Sequence, residues 1–382
     1  MNSVVLTPYC PMPADSGGKA EMWKHLDVLR GMGSCTMVSA ATKPVGAGWT
    51  PEKRADAKRR GFSLVLREDA RRGRSFRQFG GIAYAALAKG LRMEKAFGHS
   101  NPYHRHAFPA DWWLEQTKKA DLAVINYSYW AGLPCACPKV IILHDLLSGF
   151  MWEGPRREIE DLKTADLVIV ISKDEENKLN RLGITRTMWS PPAVPGMDCP
   201  DSDRIGLVGS SNASNREGLR WLARSVSLSG VRVYGGLAAF ASGPGFIRVG
   251  RYESTDAPYL ECGVILLPTA LGMGVQIKSI EALAAGRAIV ARRGAMRGIP
   301  PGDGAWLEVD TPEQMMEEAG RLVRDAAARK LLGRHAHNYY ERHLNSDQIR
   351  ADMARAFTTL AGRHVSCPQN GIGAIRGPPP PH

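Results

Sequence analysis

Residues 268–291 read PTALGMGVQIKSIEALAAGRAIVA. This order of residue types predicts a strand end, a glycine-flanked turn, a short helix and a second buried strand. Such a unit sets backbone N–H groups and a helix N-terminus beside the carboxyl edge of a parallel sheet, where anions and nucleotides bind. Gly272 and Gly274 let main chain approach a ligand closely, and the amides from Gly272 through Met273 and Gly274 to Val275 face it. Lys278 and Glu281 are three apart on the helix and share a face, one suited to a phosphate and the other to sugar hydroxyls. Gly286 is placed as the residue that ends the helix.

Upstream, short apolar runs recur: Val4-Val5-Leu6, Thr36-Met37-Val38, Leu64-Val65-Leu66, Ala123-Val124-Ile125, Val140-Ile141-Ile142-Leu143 and Leu167-Val168-Ile169-Val170-Ile171. Strands that are continuously apolar are buried on both faces, as in a parallel sheet covered by helices. Residues 188–204, rich in proline, glycine and acid, read as a linker. The pattern then restarts with Ile205-Gly206-Leu207-Val208, Val231-Arg232-Val233-Tyr234, Phe246-Ile247-Arg248-Val249, Val264-Ile265-Leu266-Leu267 and Ala288-Ile289-Val290-Ala291. The expected class is α/β, with two Rossmann-like domains at 1–195 and 196–345. A C-terminal helix at 346–362 is expected to pack back on the first domain, before a disordered tail at 363–382.

A chain of 382 residues has room for about two domains. No run reaches the ~18 apolar residues needed to span a bilayer, and MNSVVLTPYC lacks the basic-then-apolar order of a signal peptide, so a cytoplasmic location is expected. Seven scattered cysteines without a CxxC pair fit a reduced compartment and no structural zinc. The net charge of +12 is uneven: residues 51–107 hold 14 Lys and Arg against 5 Asp and Glu, so +9 sits there and +3 elsewhere. That field suits an anionic membrane surface at the inner face of the cytoplasmic membrane or a lipid-linked acceptor; a solvated helical face is the plain alternative, and nucleic acid ranks below both. His104-Arg105-His106, in the same stretch, reads as a surface loop.

Three further places carry chemistry. The first strand runs into a proline-punctuated loop and Gly17-Gly18 before a helix, the layout of a phosphate loop, although Ser-Gly-Gly also makes an ordinary turn. The strand at 140–143 delivers His144-Asp145 to a carboxyl edge, where a histidine is well placed for function, while Asp145 as a helix cap is the bland reading. Tyr127, Tyr129 and Trp130 follow another strand and read either as a sugar-stacking platform on the acceptor side or as core. In the second half, Val208 leads to Gly209-Ser210-Ser211-Asn212 and a helix, again a loop whose amides can hold phosphate.

The 268–291 string resembles the donor-site segment of the group-1 glycosyltransferases of GT-B fold, roughly G-x-G-x-x-x-K-x-x-EA-[ML]-A-x-G-x-P-[VI]-V. The Gly17-Gly18 loop is similar to that family's N-terminal P-x-x-P-x-x-x-GG signature, and the resemblance covers roughly 4–360. It implies two Rossmann-like domains facing a central cleft, a nucleotide-sugar co-substrate with no further cofactor, no metal, and retaining transfer of a hexose-type sugar to a glycan or lipid-linked acceptor. It implies sugar contact by His144, a pocket place for Ser172, and a position beside the base for the stretch holding Arg251. Two departures stand out. The family's Arg-Lys pair after the Val208 strand is replaced by Ser and Asn, leaving phosphate charge to Lys278, Arg216 or the helix dipole. The family's paired glutamates are eight apart, and counting back from Glu281 gives Met273. A nucleotide-sugar epimerase or a non-catalytic sugar-nucleotide binder are the alternative readings.

Overall fold

The computed structural model describes residues 1–13, 17–39, 48–66, 110–146, 154–225, 227–272 and 274–365. Most of the basic stretch at 51–107, the His104-Arg105-His106 tract, Met273 and the tail beyond 365 lie outside the described residues. The first sheet holds β1 (Asn2–Thr7), β2 (Ser34–Ser39), β3 (Phe62–Leu66), β4 (Leu122–Asn126), β5 (Lys139–Leu143), β6 (Leu167–Val170) and β7 (Thr187–Trp189) in the order β3-β2-β1-β4-β5-β6-β7. The second holds β8 (Ile205–Val208), β9 (Val231–Tyr234), β10 (Phe246–Gly250), β11 (Val264–Leu267), β12 (Ala288–Arg292) and β13 (Leu307–Val309) in the order β10-β9-β8-β11-β12-β13. Every pairing is parallel. The central strands β4 and β5 are buried at every residue, which is why their sequences do not alternate.

In each sheet the winding direction reverses once, between β1 and β4 in the first and between β8 and β11 in the second. The chain splays apart at such a point, and ligands of open α/β sheets bind there. Both glycine loops singled out above follow strands at these reversals. The helices relevant to the site are α1 (Gly17–Met32), α2 (Pro51–Arg59), α3 (Ala110–Thr117), α4 (Gly154–Lys163), α5 (Lys173–Arg181), α6 (Ala213–Leu222), α7 (Ala257–Glu261) and α8 (Ile277–Ala284).

Two short strands escaped the sequence reading. β7 places Met188 and Trp189 in the first sheet, so the linker begins after Trp189. β13 is three residues long and edges the second sheet. Neither carries a long apolar run because each is an edge strand with only one neighbour. The helical stretch at 312–360 divides into α9 (Pro312–Arg324), α10 (Ala326–His343) and α11 (Ser346–Val365). Thr311 and Gln314 form a reciprocal capping box at the start of α9, with Pro312 in the first turn. α11 returns to the first domain, where Met353 and Phe357 are fully buried with Leu26 and Leu29 of α1 and Val124 of β4. The tail expected from residue 363 is helical as far as Val365.

The crossing between domains is tied down by a buried charge. Lys24 of α1 pairs with Glu21 at 2.6 Å, and its Nζ donates to the carbonyls of Ser190 and Pro191, both at 2.9 Å. Burial pushes the Lys24 pKa down and the Glu21 pKa up. With the Ser190 hydroxyl at 3.1 Å, four oxygens replace the water around this buried amino group.

Candidate active site

On the first domain's side, β4 ends at Asn126 and β5 delivers His144. Asn126 Nδ2 donates to the Leu6 carbonyl at 3.0 Å, which turns its Oδ1 toward His144 Nε2 at 3.1 Å. That arrangement assigns the proton to Nε2 and leaves Nδ1 a bare lone pair. Nδ1 is buried and without a hydrogen-bond partner. Tyr127, held at φ 68°, stacks on the imidazole with centroids 4.2 Å apart and planes 12° apart. Burial pushes the His144 pKa down to about 3, so the ring is neutral at physiological pH.

The N-terminus of α1 closes over this ring. A Cβ on Gly18 would stand 3.1 Å from Tyr127 Oη, 3.4 Å from Tyr9 Oη and 4.0 Å from His144 Nδ1. Bare main chain is what fits between the helix and the histidine. Beyond His144, the Leu146 N–H donates to Glu175 Oε1 at 2.9 Å. Burial raises the Asp145 pKa to about 6, opposed by Arg297. Burial likewise raises Glu175 to about 7, with the Leu146 N–H acting in the other direction.

On the second domain's side, Lys278 Nζ donates to Asn215 Oδ1 at 2.8 Å and to Thr269 Oγ1 at 3.2 Å. Burial, with Arg297 adding, lowers its pKa to about 7. Glu281 Oε2 accepts from Tyr259 Oη at 2.7 Å, and burial raises its pKa against the pull of Tyr259 and Lys278. Gly272 and Gly274 have φ of +133° and +62°, which shapes the turn before α8 and disfavours other residues there. Gly286 ends α8 with φ +58°.

The two sides meet. A Cβ on Gly274 would lie 2.9 Å from Asp145 Oδ1 and 3.5 Å from the His144 carbonyl oxygen. The glycine turn before α8 therefore abuts the His144 segment.

Some expected residues serve the loop more than the crevice. The Gly209 N–H donates to the Tyr234 carbonyl, Asn212 Oδ1 caps α6 by accepting from the Asn215 N–H, and Ser210 accepts from Asn215 Nδ2 through its carbonyl and hydroxyl oxygens. The guanidinium of Arg216 lies 5.1 Å from the Phe240 ring centre. Arg251 is exposed just after β10, and the ring of the next residue, Tyr252, packs edge-on to Tyr234. Tyr129 stacks on Tyr127 at 5.2 Å. Of the two readings of Trp130, the core one holds: it is 1% exposed within the first core, because so large an apolar surface is better buried. Ser172 is buried at the start of α5.

Four residues were not anticipated. Asn126 orients His144, Asn215 and Tyr259 orient Lys278 and Glu281, and Arg297 backs the glycine turn before α8. Arg297 Nη1 donates to the Thr269 and Ala270 carbonyls at 3.2 and 3.4 Å, and Nη2 to that of Leu271 at 3.2 Å. An arginine in the string RRGAMRGIP carries no local signal of this role.

No model of a protein family and no curated protein matches the sequence. Solved structures do. HepE of Anabaena, in complex with UDP, is 10% identical with a TM-score of 0.64 over 94% of this chain and all of that one. Sucrose-phosphate synthase of Thermosynechococcus elongatus is 15% identical with a TM-score of 0.62 over 95% of this chain and all of its own. A variant of TarM from S. aureus, solved with Fondaparinux, alpha-GlcNAc-glycerol and UDP, is 9% identical with a TM-score of 0.65 over 94% of this chain and all of its own. The fold is GT-B. In this GT-B chain the carboxyl edges of the two sheets contribute the facing walls just described: Gly18, Tyr127 and His144 on one, and Gly272, Gly274, Lys278 and Glu281 on the other.

Proposed function

We propose that this GT-B protein is a glycosyltransferase that moves a hexose-type sugar, with retention, from a nucleotide-diphosphate donor to a hydroxyl of a glycan or lipid-linked acceptor. One observation carries the reading: the donor turn at Gly274 abuts the His144–Asp145 segment, so a sugar held by one is presented to the other. The occurrence of UDP with HepE and with TarM supports a nucleotide donor.

The residues divide the work as follows. Glu281, one oxygen fixed by Tyr259, offers the other to ribose hydroxyls. The diphosphate meets the main-chain amides of the glycine turn, the N-terminus of α8 and Lys278. A lysine whose ammonium is poorly solvated gains most when an anion arrives, so its affinity is concentrated on the charged leaving group. His144, kept neutral by burial, lines the wall against which the sugar is held and adds no charge there. The acceptor hydroxyl then enters on the face that the diphosphate leaves: its oxygen bonds to the anomeric carbon as the bond from that carbon to the phosphate oxygen breaks, and its proton passes to the departing diphosphate, with no hydrolase-like pair of carboxylates. Positive charge comes from Lys278 and the helix dipole, so the reading calls for no metal.

Met273 in place of a proximal glutamate favours one rival, a non-catalytic sugar-nucleotide binder. A panel of sugar nucleotides screened by thermal shift, followed by assay of nucleoside diphosphate release, tests the proposal. Release with an acceptor supports transfer. An altered sugar still attached to its nucleotide, or binding with no turnover across the panel, overturns it in favour of epimerisation or simple binding.

A further inference from the structure

Gly298, one residue beyond Arg297, is gripped from the other domain. Its carbonyl accepts the Lys173 N–H at 2.8 Å, and its own N–H donates to Asp174 Oδ2 at 2.9 Å. It has φ +82°, and a Cβ there would stand 2.9 Å from the Gly274 carbonyl oxygen, 3.0 Å from Ser172 Oγ and 3.1 Å from Val275 Cβ. Conformation and space both require glycine at this point.

The neighbours of this pair extend it to both walls of the crevice. One residue before Gly298, Arg297 holds the carbonyls of Thr269, Ala270 and Leu271 in the donor turn. One residue after Asp174, Glu175 holds the Leu146 N–H, directly after His144 and Asp145. Hydrogen bonds and links between chain neighbours thus join the donor turn to the histidine segment.

Asp174 is exposed, so the core does not need its carboxylate, and Glu176 also places a carboxylate in the first turn of α5. We infer that Asp174 is a positioning residue that clasps Gly298 and holds the donor turn and the His144 segment in one register across the crevice. Its effect on turnover rests on the proposed transferase reading, whereas the clasp itself is a property of domain geometry.

The test uses the full-length protein and three substitutions. Removing one of the two bonds shifts the ratio of closed to open crevice about five- to tenfold toward open. Asp174→Ala therefore raises the radius of gyration in small-angle scattering without ligand and speeds amide exchange at both 144–146 and 269–276. Gly298→Ala does the same, while Asp174→Asn, whose amide oxygen still accepts the Gly298 N–H, stays close to the parent. UDP added as a probe narrows the difference in scattering. Unchanged scattering and exchange in the two alanine variants, or an Asp174→Asn that opens as far as Asp174→Ala, overturns the clasp and leaves Asp174 a helix-end charge. Where the parent turns over donor, kcat falls more than KM rises in Asp174→Ala, and equal changes in both count against the role. If the parent shows no turnover the transferase reading fails, and the scattering result still decides the clasp.

Discussion

Replacement of Glu281 by alanine separates a ligand contact from a structural one, because the carboxylate faces two ways. Its Oε2 accepts from Tyr259 Oη at 2.7 Å, which leaves Oε1 for the ribose of a bound nucleotide. Loss of a charge-assisted bond to ribose weakens nucleotide binding by about 1.5–3 kcal/mol, or roughly 10- to 150-fold in Kd. The same change strips the buried Tyr259 hydroxyl of its partner, leaving the Lys278 carbonyl at 3.4 Å. That second effect costs the fold about 1–3 kcal/mol and lowers Tm. Two companions divide the effects. Glu281→Gln keeps an oxygen for Tyr259 but loses the charge, so Tm is largely preserved while affinity falls. Tyr259→Phe loses stability and keeps most of the affinity. Titration calorimetry with UDP, alongside thermal unfolding, reads both quantities. If Glu281→Ala and Glu281→Gln bind UDP as tightly as the parent while Tm falls in the first, Glu281 is only the partner of Tyr259 and the placement of the ribose is wrong.

Lys278, with its pKa lowered to about 7 from 10.5, holds fewer protons in the folded than in the unfolded chain between those values, so it makes stability rise with pH across that window. Lys278→Met flattens the rise in denaturant titrations, and UDP binding to the parent at pH 8 takes up protons, so its calorimetric enthalpy depends on the buffer; a buffer-independent enthalpy refutes the phosphate role. His144, lowered to about 3 from 6.5, makes the fold lose stability as pH falls through that range, whereas Asp145 and Glu175, both raised, act in the opposite direction. His144→Gln therefore loses less stability than the parent between pH 6.5 and pH 4, and an identical pH dependence in both proteins refutes the buried neutral ring. Charge reversal at Arg71, Arg72, Arg74 and Arg77 reduces sedimentation with anionic vesicles in a salt-sensitive manner; undiminished sedimentation makes the basic stretch a solvated face.

The strand, glycine turn, helix and strand over 264–292 were legible because glycine, helix-forming and apolar residues follow one another there in fixed order, and each imposes its geometry locally. The same holds for His144 at the end of a fully apolar strand. β7 and β13 were not legible, since three-residue edge strands bury too little to leave a pattern. Trp130 was ambiguous because an aromatic at a strand end has the same local sequence whether it faces a ligand or the core.

By itself the sequence determined two covered parallel sheets, through runs apolar on both faces, and the glycine turns at their carboxyl edges. Tertiary structure alone decided what those turns face. Lys278 meets Asn215 across 63 residues of chain, and Gly298 meets Asp174 across 124. It also set the charge states, since the depressed pKa values of His144 and Lys278 arise from burial. Conformational preference is a property of neighbours in sequence, but desolvation and hydrogen-bond pairing depend on which atoms the fold brings together in space.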